Sequence, residues 1–391
     1  MTEGSDGNRV DAPADGPSGT FAVVTGGGTA GHVLPALAVA DALVAAGHDP
    51  AEIHYVGCRR GIETRLVPET PYGHTFHDVV GFQRSLSRRN LGFVPKMVRA
   101  RRRAIEDFRA DRPAVVVSVG GYASLPSVLA ARSLDIPVVV VSYDRRPGRA
   151  SRLAARRAAA SAVAFDGSPL PRAEVTGAPI RQEILDVDRV AGRAAAREAL
   201  GVDDDRFLVA VMGGSLGSGV LNSAIATFVR DRADDDGLAV RQVAGERFVD
   251  TIESAGDGSS GIAHHVVGYE TDMASVYAGA DLLVGRGGAS TVHEVAVTGI
   301  PAVLVPWAGA ADDHQTDNVE WLSEVGAAVL VSEHEIEATG GARLADEIDR
   351  LRADDDARSS LSQAARARGE VHRSGALADL VERVALVSRP L

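Results

Sequence analysis

Residues 281–306 read DLLVGRGGASTVHEVAVTGIPAVLVP. The run divides into four pieces. Residues 281–284 form a short apolar strand, and Gly285, Arg286, Gly287 and Gly288 break it. Residues 289–298 have helical spacing, with Ser290, Thr291 and Glu294 near the start. Gly299 stops the helix, and 301–305 is a second strand. A glycine turn between strand and helix offers free backbone N–H groups and the positive end of a helix dipole, which suit a phosphate. A carboxylate at Glu294 suits a ribose diol, which has two hydroxyl donors. Two readings stand at this point. One is a nucleotide site at the end of a sheet. The other is an ordinary βαβ turn, with Glu294 stabilised by the dipole alone.

Working outward, the same alternation recurs. Residues 21–25 read as a strand, GGGTAG at 26–31 as a glycine loop, 32–46 as a helix, and 53–56 as the next strand. Gly26, Gly28 and Gly31 satisfy GxGxxG. A dinucleotide site would place an acid at the end of the following strand. That strand ends Tyr55-Val56-Gly57-Cys58, so an NAD site is discounted. Further strands fall at 114–119, 137–141, 161–165 and 174–175, with Gly120-Gly121-Tyr122 as a second glycine turn. The series restarts at 207–212, followed by GGSLGSG at 213–219 and a helix from near Val220. Strands at 239–243 and 265–267, the opening stretch, a helix at 317–325 and a strand at 327–331 complete it. Continuous apolar strands alternating with helices indicate parallel sheets buried on both faces. The expected fold is α/β, with two Rossmann-like parallel-sheet domains facing a cleft. The expected limits are a disordered tail at 1–20, domains at 21–177 and 178–370, and a last helix within 371–391 able to cross back to the first domain.

Composition narrows the function. The 391 residues suffice for two domains with sizeable cores. A net charge of −12 argues against nucleic acid as the main partner. The single cysteine, Cys58, rules out an intramolecular disulfide and fits a reducing cytoplasm. No apolar run reaches the length of a membrane span, and no signal peptide is visible. The basic residues cluster instead. Residues 83–103 carry Arg84, Arg88, Arg89, Lys96, Arg99, Arg101, Arg102 and Arg103 without an acid, and 145–157 is a second acid-free basic stretch. The Asp-rich runs at 203–205, 234–236 and 354–356 lie in polar stretches and read as solvated surface, not as metal ligands.

The ordered motifs GGGTAGHVLP at 26–35, Gly120 to Tyr122, GGSLG at 213–217 with Asn222, the 285–294 loop, and His314, Gln315 and Asn318 resemble glycosyltransferase family 28, the peptidoglycan branch. The resemblance covers the chain from about Phe21 to near its end. It implies a GT-B fold and transfer of GlcNAc from UDP-GlcNAc to the C4 hydroxyl of undecaprenyl-pyrophosphoryl-MurNAc-pentapeptide, with inversion. That reaction builds the cell wall, on which cell shape and division depend. It implies that Thr29, Ala30, Gly31 and His32 lie beside the reacting groups. Arg181, Ser215, Arg286, the run Ala289, Ser290, Thr291, Val292, His293 and Glu294, and also Gln315 and Asn318 would serve the donor; Tyr122, in the second motif, is expected to bind substrate as well. His32 is either the base or a polar anchor for the acceptor. No cofactor or metal is expected, since helix N-termini and Arg181 can neutralise a leaving diphosphate.

The chain departs from the family in places. Where the family has His-Glu-Gln-Asn, this sequence has Ser142-Tyr143-Asp144-Arg145, one residue shorter before Pro147. Asp144 can replace the missing carboxylate as a catalytic group, and Arg145 the missing amide. Ala30 replaces a glycine, and residues 243–246 lack the usual histidine and lysine. Phe82, Arg84, Arg88, Arg89, Phe93, Lys96 and Arg99 lie where the family has its membrane-facing patch, which implies peripheral attachment to the cytoplasmic face of an anionic membrane. Two other functions fit the same motifs. One is a related two-domain enzyme with another acceptor, or a UDP-GlcNAc 2-epimerase. The other is an inactive donor-binding scaffold at the membrane.

Overall fold

Two parallel sheets stand end to end in the chain of the computed structural model, which describes residues 19–79, 93–214, 217–254, 256–310 and 313–387. The first holds β1 Ala22–Thr25, β2 Ile53–Cys58, β3 Gly73–His77, β4 Val115–Ser118, β5 Val138–Ser142, β6 Ala160–Val163 and β7 Ala173–Val175. The second holds β8 Phe207–Met212, β9 Leu238–Val243, β10 Ala263–Val267, β11 Leu282–Arg286, β12 Ala302–Val305 and β13 Val329–Leu330. Their orders are β3-β2-β1-β4-β5-β6-β7 and β10-β9-β8-β11-β12-β13. Each order reverses direction at its centre, between β1 and β4 and between β8 and β11. In open parallel sheets a ligand crevice opens at that reversal, beyond the carboxyl ends of the strands.

The central strands are the apolar, β-branched runs, as both-face burial requires. Val115, Val116 and Val117 are fully buried, as are Leu282, Leu283 and Val284. The edge strand β3, GHTFH, is half exposed and has no such run, so hydrophobic pattern alone misses it. β11 continues to Arg286, two residues beyond the expected end, because Gly285 and Arg286 keep pairing with Leu304 and Val305. The glycine break therefore shrinks to Gly287 and Gly288.

A chain of hydrogen bonds ties the sheets together. Ala178 N donates to His372 Nδ1 at 2.9 Å, His372 Nε2 meets His293 Nδ1 at 3.1 Å, and His293 Nε2 meets the Tyr143 carbonyl at 2.9 Å. Because the amide only donates and the carbonyl only accepts, both rings are neutral Nε2–H tautomers. Burial agrees, pulling His293 down to about 4 and His372 down to about 2. The last helix, Ala376–Val387, packs on the first helix, Ala30–Ala45, and on β4 and β6. Glu382 meets His48 at 3.1 Å and Arg383 pairs with Glu174. Among the described residues no helix is long and apolar enough to cross a membrane. Residues 1–18, most of the proposed tail, lie outside the described residues.

Candidate active site

The glycine motifs follow β1, β4, β8 and β11, the four strands that flank the two reversal points. Turns at those ends border the crevice, which is the physical reason glycine recurs there.

At the second sheet, helix Ala289–Thr298 starts at Gly288 and ends at Gly299, whose φ of +66° is the left-handed stop that glycine adopts without strain. Its first N–H groups have no intrahelical partner and point at the crevice. Glu294 sits one turn further in. Its Oε2 accepts from Tyr277 Oη at 2.7 Å, and its Oε1 lies 3.6 Å from Arg181 Nη2. Burial raises the Glu294 pKa, and the Arg181 charge and the Tyr277 hydroxyl oppose that. Arg181 also pairs with Glu183 at 2.6 Å. Gln315 Oε1 accepts from Trp307 N at 2.9 Å, and its helix packs so closely that a Cβ on Gly287 would lie 2.8 Å from the Gln315 carbonyl. Gly287 is therefore a packing glycine. Ser290 and Thr291 stay partly open at the helix start, while Ala289 is buried. Ser215 lies outside the described residues.

Three expected donor residues turn away from the crevice. Val292 is fully buried in the core, and His293 belongs to the junction already described. Arg286 is buried: its Nη2 donates to Ser218 Oγ and Glu333 Oε1, both at 2.5 Å, and its Nη1 to the Val305 carbonyl at 3.3 Å. Glu333 Oε2 in turn accepts from Ala308 N at 2.8 Å. Arg286 thus braces the loops after β8, β11 and β12. The sequence assigned it to the loop, and its place as the last strand residue explains why the side chain points inward.

At the first sheet, a cavity of about 480 Å³ is lined by His32, Tyr122, Ser142, Asp144 and Arg149 among others. His32 lies in the first turn of helix Ala30–Ala45, with Nδ1 3.0 Å from Thr29 Oγ1. Burial lowers its pKa, opposed by the charges of Asp144 and Glu63. Pro35 lacks the N–H that would bond the Gly31 carbonyl, and that carbonyl accepts from Tyr143 Oη instead. A proline inside the helix thus fixes β5 to the glycine loop. Thr29 and Gly31 are exposed and Ala30 half-buried.

The two ends meet through Asn318. Its Oδ1 accepts from Arg145 N at 2.9 Å, and its Nδ2 donates to Asp144 Oδ1 at 3.1 Å. Arg145 Nη1 reaches the Asp317 carbonyl at 3.2 Å, and Arg146 pairs with Asp317. Asn318 is fully buried. Asn318 and Arg145, expected as separate substrate contacts, are bonded to each other across the sheets. The sequence reading missed Glu63, Tyr277 and Glu333, because a carboxylate or phenol on a helix carries no motif until its partners are known.

The glycosyltransferase family 28 N-terminal domain matches residues 22–163, and its C-terminal domain matches residues 208–378. A relative from Clavibacter sepedonicus is 39% identical over 379 residues, spanning 95% of this chain and 98% of its own. One from Desulforudis audaxviator is 35% identical, spanning 93% and 98%. Both carry the name UDP-N-acetylglucosamine–N-acetylmuramyl-(pentapeptide) pyrophosphoryl-undecaprenol N-acetylglucosamine transferase.

The chain belongs to glycosyltransferase family 28.

The crystal structure of Acinetobacter baumannii MurG superposes with a TM-score of 0.66 at 25% identity, covering 94% of this chain and 99% of that one. The fold is GT-B, and the two glycine-lined reversal points are the two halves of a glycosyltransferase cleft.

Proposed function

We propose that this family 28 enzyme transfers GlcNAc from UDP-GlcNAc to the C4 hydroxyl of undecaprenyl-pyrophosphoryl-MurNAc-pentapeptide, with inversion. The observation that carries the reading is the pairing of two glycine-lined reversal points of different chemistry. One holds Glu294 and Arg181, and the other holds His32 and Asp144. Relatives that match nearly end to end support the substrate pair.

In this reading Glu294 accepts hydrogen bonds from the ribose hydroxyls, and the start of helix Ala289–Thr298 holds the diphosphate. Thr29, Ala30, Gly31 and Tyr122 border the acceptor sugar. In the tautomer whose Nδ1–H donates to Thr29 Oγ1, His32 presents its Nε2 lone pair to the cavity. The ring is held neutral by its lowered pKa, so it can take the C4 hydroxyl proton. The freed oxygen attacks the anomeric carbon from the face opposite UDP. The bond from that carbon to the UDP oxygen breaks, and its electron pair leaves on the diphosphate. Arg181 and the helix N-terminus meet that charge, without a metal ion. Asp144 stands opposite the imidazolium. Peripheral attachment at the cytoplasmic face of the membrane suits a lipid-linked acceptor. Phe93, Lys96 and Arg99 lie on helix Phe93–Ala110; Phe82, Arg84, Arg88 and Arg89 lie outside the described residues.

The test is transfer from labelled UDP-GlcNAc to the lipid-linked monosaccharide in vesicles, with and without EDTA. A labelled lipid-linked disaccharide, formed equally in both, is expected. UDP-ManNAc from donor alone would indicate an epimerase. UDP binding without transfer would indicate a scaffold.

A further inference from the structure

Glu63 opens the short helix Glu63–Leu66 after β2 and is fully buried. Its Oε1 accepts from Gly28 N at 3.0 Å, Cys58 N at 3.2 Å and Cys58 Sγ at 2.9 Å. Burial pushes the Cys58 thiol up to about 12, so it remains a donor. Among the described residues Glu63 Oε2 has no hydrogen-bond partner. Glycines make room for the side chain. A Cβ on Gly27 would lie 2.4 Å from Oε1, and one on Gly61 would lie 1.9 Å from Oε2. The first glycine turn is therefore shaped on its inner side by this carboxylate.

Shape alone does not require a charge there. A glutamine could accept the same Gly28 N–H, and a buried carboxylate with one oxygen unpartnered is costly. We propose that Glu63 is a positioning residue: it fixes the Gly26–Thr29 turn through Gly28, and its charge behind that turn steadies His32 when the ring carries the acceptor's proton. The proposal rests on the reading of His32 as the base. The charge of Glu63 favours the protonated His32 ring, as that of Asp144 does, against a larger effect of burial. Among the described residues, the other titratable or charged groups facing this pair are Tyr55, Cys58, Tyr122, Tyr143 and Arg149. Arg149 is the only cation among them.

The experiment compares Glu63→Gln and Glu63→Asp with the unaltered chain, using pH profiles of kcat/KM and an NMR titration of the His32 imidazole. His32→Gln identifies the signal. Glu63→Gln should keep UDP affinity, lose at least about tenfold in kcat, as for one hydrogen bond to a charged group, and move the acid limb and the His32 midpoint to lower pH. Glu63→Asp keeps the charge and should leave the acid limb in place while lowering kcat. A Glu63→Gln enzyme with an unmoved His32 midpoint overturns the proposal. If the unaltered chain transfers nothing, the functional reading falls, and the NMR midpoint still decides the role of Glu63. Should Glu63→Gln not fold, hydrogen exchange at the Gly28 amide of the unaltered chain decides. Slow exchange is required, and free exchange overturns the proposal.

Discussion

The two crevice ends hold their charges in different ways. At the second sheet the polar groups are engaged before any ligand arrives. Glu294 has Tyr277 and Arg181, and Arg286 has Glu333 and Ser218. At the first sheet the side-chain partner of His32 found among the described residues is Thr29. Its nearby carboxylate, Asp144, is positioned by Asn318 from the other sheet. The end proposed to hold the donor is therefore engaged within its own half, and the end proposed to hold the acceptor is completed across the domain junction. Electrostatic stabilisation works best when the dipoles are fixed beforehand, so leaving-group departure suits the first kind of site. A base that must gain and lose a proton needs fewer fixed partners.

The largest expected effect is at His32. His32→Gln should lower kcat by about 10²–10⁴-fold, the usual range for losing a general base, while UDP-GlcNAc affinity stays unchanged. Steady-state kinetics with calorimetry checks both. The sign of the pH dependence follows from burial. The His32 pKa lies below its ordinary value, so the basic form persists at neutral pH. Activity should fall as pH drops through that lowered value, not at the ordinary histidine midpoint. An acid limb still present in His32→Gln would assign the titration to another group.

Next in size is Glu294→Ala. It should weaken UDP-GlcNAc binding by about 10–100-fold, the equivalent of a hydrogen bond between ribose and a charged group. It also leaves Arg181 and Tyr277 without their buried partner, so some stability is lost as well. Calorimetry with UDP and with uridine separates ribose recognition from diphosphate recognition. Unchanged affinity for both would remove Glu294 from the donor site.

The donor end was the more legible of the two. Gly287, Gly288, the helix from Ala289 and its stop at Gly299 follow from local chain chemistry, so periodicity and glycine placement show them. The central strands were legible because they are unbroken apolar runs, whereas the half-exposed edge strand β3 was not. What the sequence hid were side chains whose partners are distant in the chain. Arg286 resembles a loop cation and becomes a brace only when Glu333 is seen beside it, 47 residues on. His293 resembles a helix-start ligand until His372 closes the junction behind it. Glu63 follows an unremarkable Cys-Arg-Arg-Gly-Ile, and its role depends on Gly27 and Gly28, which belong to another strand end. Pattern reports the face on which a residue sits, and these residues are defined by contacts between faces.

Asn318→Ala tests the bond between the two ends. It removes the acceptor for Arg145 N and the donor to Asp144, and leaves both partly buried and unpaired. A loss of about 1–3 kcal/mol in stability is expected, read by denaturant unfolding, and turnover should fall more than UDP affinity. If UDP affinity falls and turnover does not, Asn318 serves the donor directly, and the two ends differ less in how their charges are held.

The smallest effect lies at the outer edge of the acceptor side, on helix Phe93–Ala110. Val94 and Val98 are exposed there, at 63% and 43%, and Arg99 stands beside them on the surface. Phe93 meets Tyr122 edge-on, with ring centroids 6.2 Å apart, so this helix touches a residue of the acceptor cavity. Lys96 is already paired with Asp78 at 2.9 Å, and no ion pair of Arg99 is found among the described residues. The two cations should therefore differ. Arg99→Gln should weaken binding to vesicles with anionic lipid by about 1 kcal/mol, the usual worth of one cation at such a surface. Lys96→Gln should weaken it less, because its charge is already balanced by Asp78. Sedimentation with phosphatidylglycerol vesicles at two salt concentrations reads both. Equal losses would mean that Asp78 releases Lys96 at the membrane, and no loss in either would move the contact away from this helix.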